Sequence, residues 1–139
     1  MTDQEYAQTA REIWVAAEGL PPHEARRILV DHGRAITTEM WMRPQDAQIY
    51  DRLPDVLPVF RGCSAGRERG WSWSLNREAA EHFAARAGDS APMSRCSIVT
   101  GTVAKEQIVA VFSNDVWAEG EVVVPGDLVE VISIEEAES

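Results

Sequence analysis

The apolar pattern of this chain changes period at Val56, and that change most constrains the fold. Before Val56, apolar residues recur at helical spacing; after it, short β-branched runs alternate with turn signals. The pattern predicts helices within residues 1–55, then about six strands with one inserted helix within residues 56–134. Helices followed by strands favour an α+β fold with a mostly antiparallel sheet over a doubly wound parallel one.

The helical part contains its own start and stop signals. Aspartate favours the cap before the first turn, proline is accepted within that turn, and glycine favours the residue after the last turn. Proline also ends a helix that precedes it. We expect helices to begin at Asp3, Pro21-Pro22, Arg34 and Pro44, and to end at Gly19, Gly33, Trp41 and before Pro54.

The strand-rich part is divided by turns and one helix. Asn76 can cap a helix from Arg77 to Ala87, and Pro125-Gly126-Asp127 predicts a turn between the last two strands. Pro58 indicates an edge strand or a strand start, because proline cannot donate to a sheet ladder. The expected strands are Val56–Arg61, Trp71–Ser74, Cys96–Val103, Ile108–Phe112, Glu121–Val124 and Leu128–Ile134.

Composition limits the kinds of partner. The 139 residues suffice for a single domain, carry a net charge of −10 and end in an acidic tail, 135–139, that we expect to fray. Since no basic stripe is present to neutralise phosphates, nucleic-acid binding is disfavoured, while a cationic protein partner is allowed. No apolar run reaches the roughly 18 residues of a membrane helix, so we expect no membrane association.

Cysteine usage and the N-terminal residues indicate the cytoplasm. Residues 1–5 lack the basic start and apolar core of a signal peptide. Cys63 and Cys96 are too few for a disulfide scaffold, and neither they nor the three histidines have zinc-ligand spacing. We therefore expect two reduced structural thiols, a cytoplasmic protein and no metal.

Two short motifs of the strand-rich part carry side chains suited to ligand binding. Arg61 can aim a forked cation at an anionic ligand, and Gly62 can let that ligand approach. Strand alternation places the hydroxyls of Ser72 and Ser74 on one face and Trp73 on the other. The ordinary alternatives are a surface arginine beside a turn and an exposed strand face over a tryptophan core.

A third motif, Glu119-Gly120-Glu121, is the strongest. Two carboxylates on one strand face repel each other, so a fold that keeps them has a cation or a task for them. A carboxylate stabilises the oxocarbenium-like state of glycosidic cleavage. The alternative is an acidic surface patch. The preceding polar loop, Ser113–Ala118, contains Trp117, which either recognises a partner or packs the loop down.

Taken in order, the three motifs resemble the R-S-E class of mono-ADP-ribosyltransferases. The segment Val59–Gly62 is similar to the aromatic-Arg-Gly strand of that family, and Gly70–Ala84 to its S-T-S strand and following helix. Glu119-Gly120-Glu121 matches the E-x-E motif. The likeness covers about Val56–Val131 and is closest to small transferase-like proteins of bacteria and their phages, some of them effectors or toxins.

The resemblance implies an ADP-ribosyltransferase-like core and a role for each matched residue. Glu121 would be the catalytic glutamate, Ser72 would position it, and Glu119 would activate or orient the acceptor. NAD would be the substrate, with no metal. The residues implied in binding NAD are Arg61, Gly62, Ser72, Ser74, Trp71 and Phe83.

The E-x-E form implies an arginine acceptor on a protein, recognised through Asn114 and Trp117. The N-terminal helices would cover one side of the NAD cleft or bind an inhibitory or target protein. Two other readings stay open at this point. The same site could use water as an NAD glycohydrolase, or the chain could be an inactive transferase-like module with a binding or regulatory role.

Overall fold

The computed structural model describes residues 1–17, 20–90, 95–113 and 120–136, and for residues 87–90 the backbone alone. The α-helices in these ranges are α1 (Asp3–Ala17), α2 (Pro22–Leu29), α3 (Thr38–Trp41), α4 (Pro44–Asp51) and α5 (Arg77–Ser90). The strands are β1 (Val56–Ser64), β2 (Ser72–Ser74), β3 (Cys96–Ala104), β4 (Ala110–Phe112), β5 (Glu121–Val123) and β6 (Glu130–Glu136). Short 3-10 turns, Lys105–Gln107 and Gly126–Leu128, precede β4 and β6.

The six strands form one antiparallel sheet in the order β4-β5-β2-β1-β3-β6. The predicted α+β class, with helices before an antiparallel sheet, is confirmed. β1 and β3 pair along their full length and form the centre of the sheet. β2 meets β1 only where Ser74 lies opposite Phe60, and it joins this centre to the β4–β5 pair.

The placement of Pro58 explains how a proline fits an interior strand. β1 lies between β2 and β3, so it is not the edge strand that Pro58 suggested. However, β2 ends at Ser74, which is opposite Phe60, and Pro58 lies beyond that end of β2. The missing N–H of proline therefore falls on a side of β1 that β2 does not reach.

One apolar core joins the N-terminal helices to the sheet. It contains Trp14 of α1 and Trp41 of α3 together with Val59 of β1 and Val122 of β5. A smaller apolar cluster lies under α5, where alanines of the helix pack on β3. Because residues 1–55 share the main core with the strands, the helices form one wall of the same packed unit.

Gly62 allows α5 to pack closely on β1. A Cβ at Gly62 would overlap the carbonyl oxygen of Ala80 and lie 2.6 Å from the backbone nitrogen of Ala84. Only a residue without a side chain fits between this strand and this helix. The expectation that Gly62 leaves room for a ligand is therefore wrong, because the space beside it is filled by α5.

Several predicted element bounds also differ. α1 is capped by Thr2 rather than Asp3, since Thr2 and Glu5 exchange backbone–side-chain hydrogen bonds in a capping box. Residues 34–37 are not helical, and α3 is a single turn. The acidic tail does not fray at its start, because Glu135 and Glu136 extend β6 and pair with arginines. The Asn76 cap of α5 is confirmed by its bond to the backbone N–H of Ala79.

Asp46 on α4 is the most deeply buried charged side chain of the described residues, with 0% exposure. Arg43 donates to its carboxylate through Nε at 3.1 Å, and Ser113 donates both its backbone N–H and its hydroxyl, at 2.8 and 2.6 Å. Burial acts to raise the pKa of Asp46, but the hydrogen bonds of Arg43 and Ser113 together outweigh it and lower that pKa. This cluster of Asp46, Arg43 and Ser113, here called the Asp46 clamp, ties the end of β4 to α4.

Among the described residues no helix is long and apolar enough to cross a bilayer.

The first prediction concerns this buried carboxylate. Asp46→Ala leaves the Arg43 guanidinium and the Ser113 donors without their acceptor, and we expect a loss of about 3 kcal/mol in the free energy of unfolding. Denaturant titration followed by circular dichroism measures this loss. Asp51→Ala, at an exposed position of the same helix, is the matched control and should stay within about 0.5 kcal/mol of the wild type. Equal losses in the two variants would show that the hydrogen bonds of Asp46 to Arg43 and Ser113 do not stabilise the fold.

Candidate functional site

The site is centred on a hydrogen bond between the Ser72 hydroxyl and the Glu121 carboxylate. β2 and β5 pair with Ser74 opposite Glu121 and Ser72 opposite Val123, so Ser72 is the diagonal neighbour of Glu121 on the same face. Across this diagonal the Ser72 hydroxyl donates to Glu121 Oε2 in a short hydrogen bond. Two residues 49 positions apart in the sequence thus meet through the pairing of two three-residue strands.

A second donor reaches the same carboxylate from the N-terminal helices. The indole Nε1 of Trp14 on α1 lies 3.3 Å from both carboxylate oxygens of Glu121. Trp14 itself is only 3% exposed and belongs to the main core. The carboxylate is therefore held from two sides, by a hydroxyl of β2 and by an N–H of α1.

Arg61 of β1 is braced against the strand that carries Ser72. Its Nη1 donates to the Ser72 carbonyl at 2.8 Å and its Nε to the Arg67 carbonyl at 2.9 Å. A Cβ at Gly70 would overlap this guanidinium, so the glycine lets the arginine lie against the turn. Arg61 is partly buried and is held by two backbone carbonyls, so its guanidinium has a fixed orientation beside the turn.

Electrostatics connect Arg61 to Glu121. Burial raises the pKa of Glu121 above its ordinary value, against the lowering effects of the Ser72 bond, the Trp14 bond and the positive charge of Arg61. Burial likewise lowers the pKa of Arg61, while the charge of Glu121 acts to raise it. The structure thus brings Arg61, Ser72 and Glu121 to one place, where a desolvated carboxylate lies within the field of a guanidinium.

The other residues predicted for NAD binding lie around this centre in different ways. Ser74 is directly opposite Glu121 across the β2–β5 pair and is 6% exposed. Trp71 is buried and lines a surface cavity of about 330 Å³ with Arg26, whose guanidinium lies 5.6 Å from its ring, and with Arg69. Phe83 lies on α5 with its ring against that of His82.

Three predicted residues, Asn114, Trp117 and Glu119, lie outside the described part of the chain. Their segment is flanked on one side by Ser113, fixed by Asp46 and by the bond that Arg43 Nη2 makes to its carbonyl at 2.6 Å. On the other side stands Gly120, with a φ of +98° that favours glycine. The described residues therefore fix both ends of the segment.

Among the described residues, the thiols and possible metal ligands form no further cluster suited to metal binding. Cys63 and Cys96 are free and buried, and burial raises the pKa of the Cys63 thiol although the charge of Arg61 opposes this. Within residues 1–17, 20–90, 95–113 and 120–136, no group of three or more His, Cys, Asp or Glu side chains could hold a metal ion.

Sequence reasoning missed Trp14 and Asp46 as parts of the site and its support. Trp14 occurs at helical spacing among apolar residues, which is the pattern of any core position. A buried tryptophan nevertheless needs an acceptor for its N–H, and that requirement is the signal that could have drawn attention to it. Asp46 follows the Pro44 helix start at a position where an exposed residue is the usual outcome, so its burial has no local signal.

No protein-family model matches this chain, and neither characterised proteins nor solved structures give a match.

The second prediction uses the raised pKa of Glu121. The folded protein binds the proton of Glu121 more tightly than the unfolded chain, in which the pKa of this carboxyl is 4.5. The free energy of unfolding therefore falls as pH rises from 4.5 through the pKa of the folded state. Glu121→Gln removes this titration, so its free energy of unfolding should increase relative to that of the wild type as the pH rises from 4.5 through the folded pKa. Each unit of pKa displacement corresponds to about 1.4 kcal/mol.

Thermal unfolding of both proteins across this pH range tests the prediction. Glu130→Gln, at an exposed position of β6, controls for the loss of one negative charge. A difference between wild type and Glu121→Gln that does not vary with pH would show that folding does not raise the pKa of Glu121.

Proposed function

We propose that this protein is an NAD-dependent mono-ADP-ribosyltransferase with an ADP-ribosyltransferase-like fold, which moves ADP-ribose from NAD to a protein side chain, most simply an arginine. The observation that carries the proposal is the contact between Ser72 and Glu121, with Arg61 bonded to the same serine. The order Arg61, Ser72, Glu121 is that of the R-S-E motifs, and these are the three residues that the fold gathers.

The desolvated carboxylate of Glu121 suits glycosidic cleavage. When the bond between C1′ of the nicotinamide ribose and the nicotinamide nitrogen breaks, the electron pair leaves with nicotinamide and positive charge develops on the ribose. A carboxylate fixed by preorganised donors stabilises that charge without having to reorganise first. A carboxylate can accept about four hydrogen bonds, so Ser72 and Trp14 leave it capacity for a ribose hydroxyl.

Arg61 supplies the cation for the substrate phosphate. Two of its five N–H groups bond to backbone carbonyls, which fixes the plane of the guanidinium. A guanidinium held in this way loses little further freedom when it binds a phosphate through its other donors. In this proposal Arg61 both braces the Ser72 strand and binds the diphosphate of NAD.

The acceptor follows from the E-x-E motif and from charge. Glu119 would activate or orient the incoming guanidinium, whose nitrogen attacks C1′ as nicotinamide leaves with its electron pair and then passes its proton to solvent. The net charge of −10 would attract a cationic acceptor segment. If water takes the place of the acceptor, the same site is an NAD glycohydrolase, and the assays below distinguish the two outcomes.

The third prediction separates the two carboxylates. Glu121→Gln should abolish nicotinamide release and ADP-ribose transfer together, because the charge that stabilises the transition state is lost. Glu119→Gln should retain nicotinamide release while transfer to an arginine acceptor falls, because only the handling of the acceptor is lost. Release is measured by chromatography of nicotinamide, and transfer by labelled NAD with an arginine-rich protein.

Three other results would contradict the roles proposed for Glu121 and Glu119 or the transferase activity itself. Wild-type release from Glu121→Gln would overturn the mechanism. Nicotinamide release without transfer by the wild-type protein would establish the glycohydrolase. Absence of release from the wild-type protein would leave a transferase-like fold with a binding role.

The fourth prediction concerns Arg61. Arg61→Ala should weaken NAD binding by roughly ten- to a hundredfold, since charge-assisted bonds of this kind contribute about 1.5–3 kcal/mol. Titration calorimetry with NAD measures the change. Arg67→Ala is the matched control, because it removes an exposed cation from the same turn while keeping the backbone carbonyl that Arg61 contacts. Equal affinities in Arg61→Ala and Arg67→Ala would remove Arg61 from the substrate site.

A further inference from the structure

Trp14 is placed to act on Glu121 and not merely to fill the core. It is 3% exposed and lies in the same cluster as Trp41, which is equally buried. The two tryptophans differ in their partners: the ring of Trp41 contacts the rings of Tyr6 and His32, whereas the N–H of Trp14 is directed at both oxygens of Glu121. Such a contact orients the plane of the carboxylate as well as satisfying the indole.

We propose that Trp14 is a positioning residue of this site, whose indole N–H holds the Glu121 carboxylate in place opposite the Ser72 hydroxyl. The kinetic part of this inference rests on the proposed function, while the contact itself can be tested without any activity. On this view α1 is a working part of the site, and its role goes beyond covering the cleft or offering a surface to a partner.

The burial of Trp14 indicates that it stays beside Glu121 when substrate binds and does not leave to admit substrate. If α1 shielded Glu121 and withdrew to admit substrate, an indole that is buried in the main core would have to enter water. Exposing an aromatic side chain of this size to water is strongly unfavourable. The carboxylate also has acceptor capacity left when Trp14 stays, so substrate binding does not require its departure.

The charged environment of Glu121 makes the contribution of Trp14 measurable. Among the described residues, the groups that act on this carboxylate are the neutral donors Ser72 of β2 and Trp14 of α1 and the charged Arg61 of β1. Burial raises the pKa of Glu121 and hydrogen bonds lower it. Without the Trp14 donor fewer hydrogen bonds stabilise the ionised carboxylate, so that form becomes less favourable. The pKa of Glu121 should then rise further.

The fifth prediction is the comparison of Trp14→Phe with Trp41→Phe. Each variant keeps an aromatic ring in the core and loses one indole N–H. Carbon-13 NMR titration of the Glu121 carboxyl should show a higher pKa in Trp14→Phe and the wild-type pKa in Trp41→Phe. An unchanged Glu121 pKa in Trp14→Phe would overturn the inference, whether or not the protein acts on NAD.

Kinetics give the second readout of the same pair. At neutral pH, Trp14→Phe should lose about ten- to a hundredfold in kcat for nicotinamide release with little change in KM for NAD, because the substrate-binding groups stay in place. The acid limb of its pH profile should move to higher pH, and the loss should shrink as pH rises. Faster release from Trp14→Phe than from the wild type would instead show that Trp14 obstructs the site.

A measurement on the wild-type chain covers the case in which Trp14→Phe does not fold. The indole N–H resonance of Trp14 should shift as Glu121 titrates, and that shift should be absent in Glu121→Gln. A Trp14 resonance insensitive to this titration would contradict the contact. If this resonance follows Glu121 while the wild-type protein releases no nicotinamide, the positioning contact stands and the proposed function fails.

Discussion

The Glu121 carboxylate is partly buried, and the hydrogen-bond donors and the charge around it come from three separate parts of the chain. Desolvation raises the pKa of Glu121. The hydrogen bonds from Ser72 of β2 and Trp14 of α1 and the positive charge of Arg61 of β1 act to lower it. An unsatisfied carboxylate at such a place would cost several kcal/mol. Loss of the Ser72 or Trp14 donor would therefore destabilise the ionised form of Glu121 at this place.

Several contacts around the site hold the Ser72 strand and its neighbours in place. β2 is only three residues long, so its position depends on pairing with β5 and on the bond from Arg61 to the Ser72 carbonyl. Gly70 leaves space for that guanidinium, and Gly62 lets α5 pack behind β1. The Asp46 clamp fixes the end of β4, the strand that pairs with β5.

The sequence predicted those parts of the fold that depend on local patterns. The change of period at Val56 predicted the α+β order. Four β-branched runs, one apolar run and one alternating aromatic segment predicted the six strands to within a few residues. The proximity of Ser72 and Glu121 was also expected, although from the likeness of the motifs to an enzyme family and not from the local pattern. Gly62 was misread because the pattern shows a flexible residue without showing that α5 fills the space beside it. Trp14 and Asp46 were missed because their partners, Glu121 and Ser113, lie 107 and 67 positions away.

The pH dependence of nicotinamide release from NAD tests the central claim most directly. The claim is that an ionised, desolvated Glu121 carries the cleavage of the glycosidic bond. We predict that kcat/KM falls on the acid side with a midpoint equal to the Glu121 pKa measured by NMR on the same protein, and above the value of an ordinary glutamate. A midpoint unrelated to the titration of Glu121, or no release at any pH, would contradict the claim.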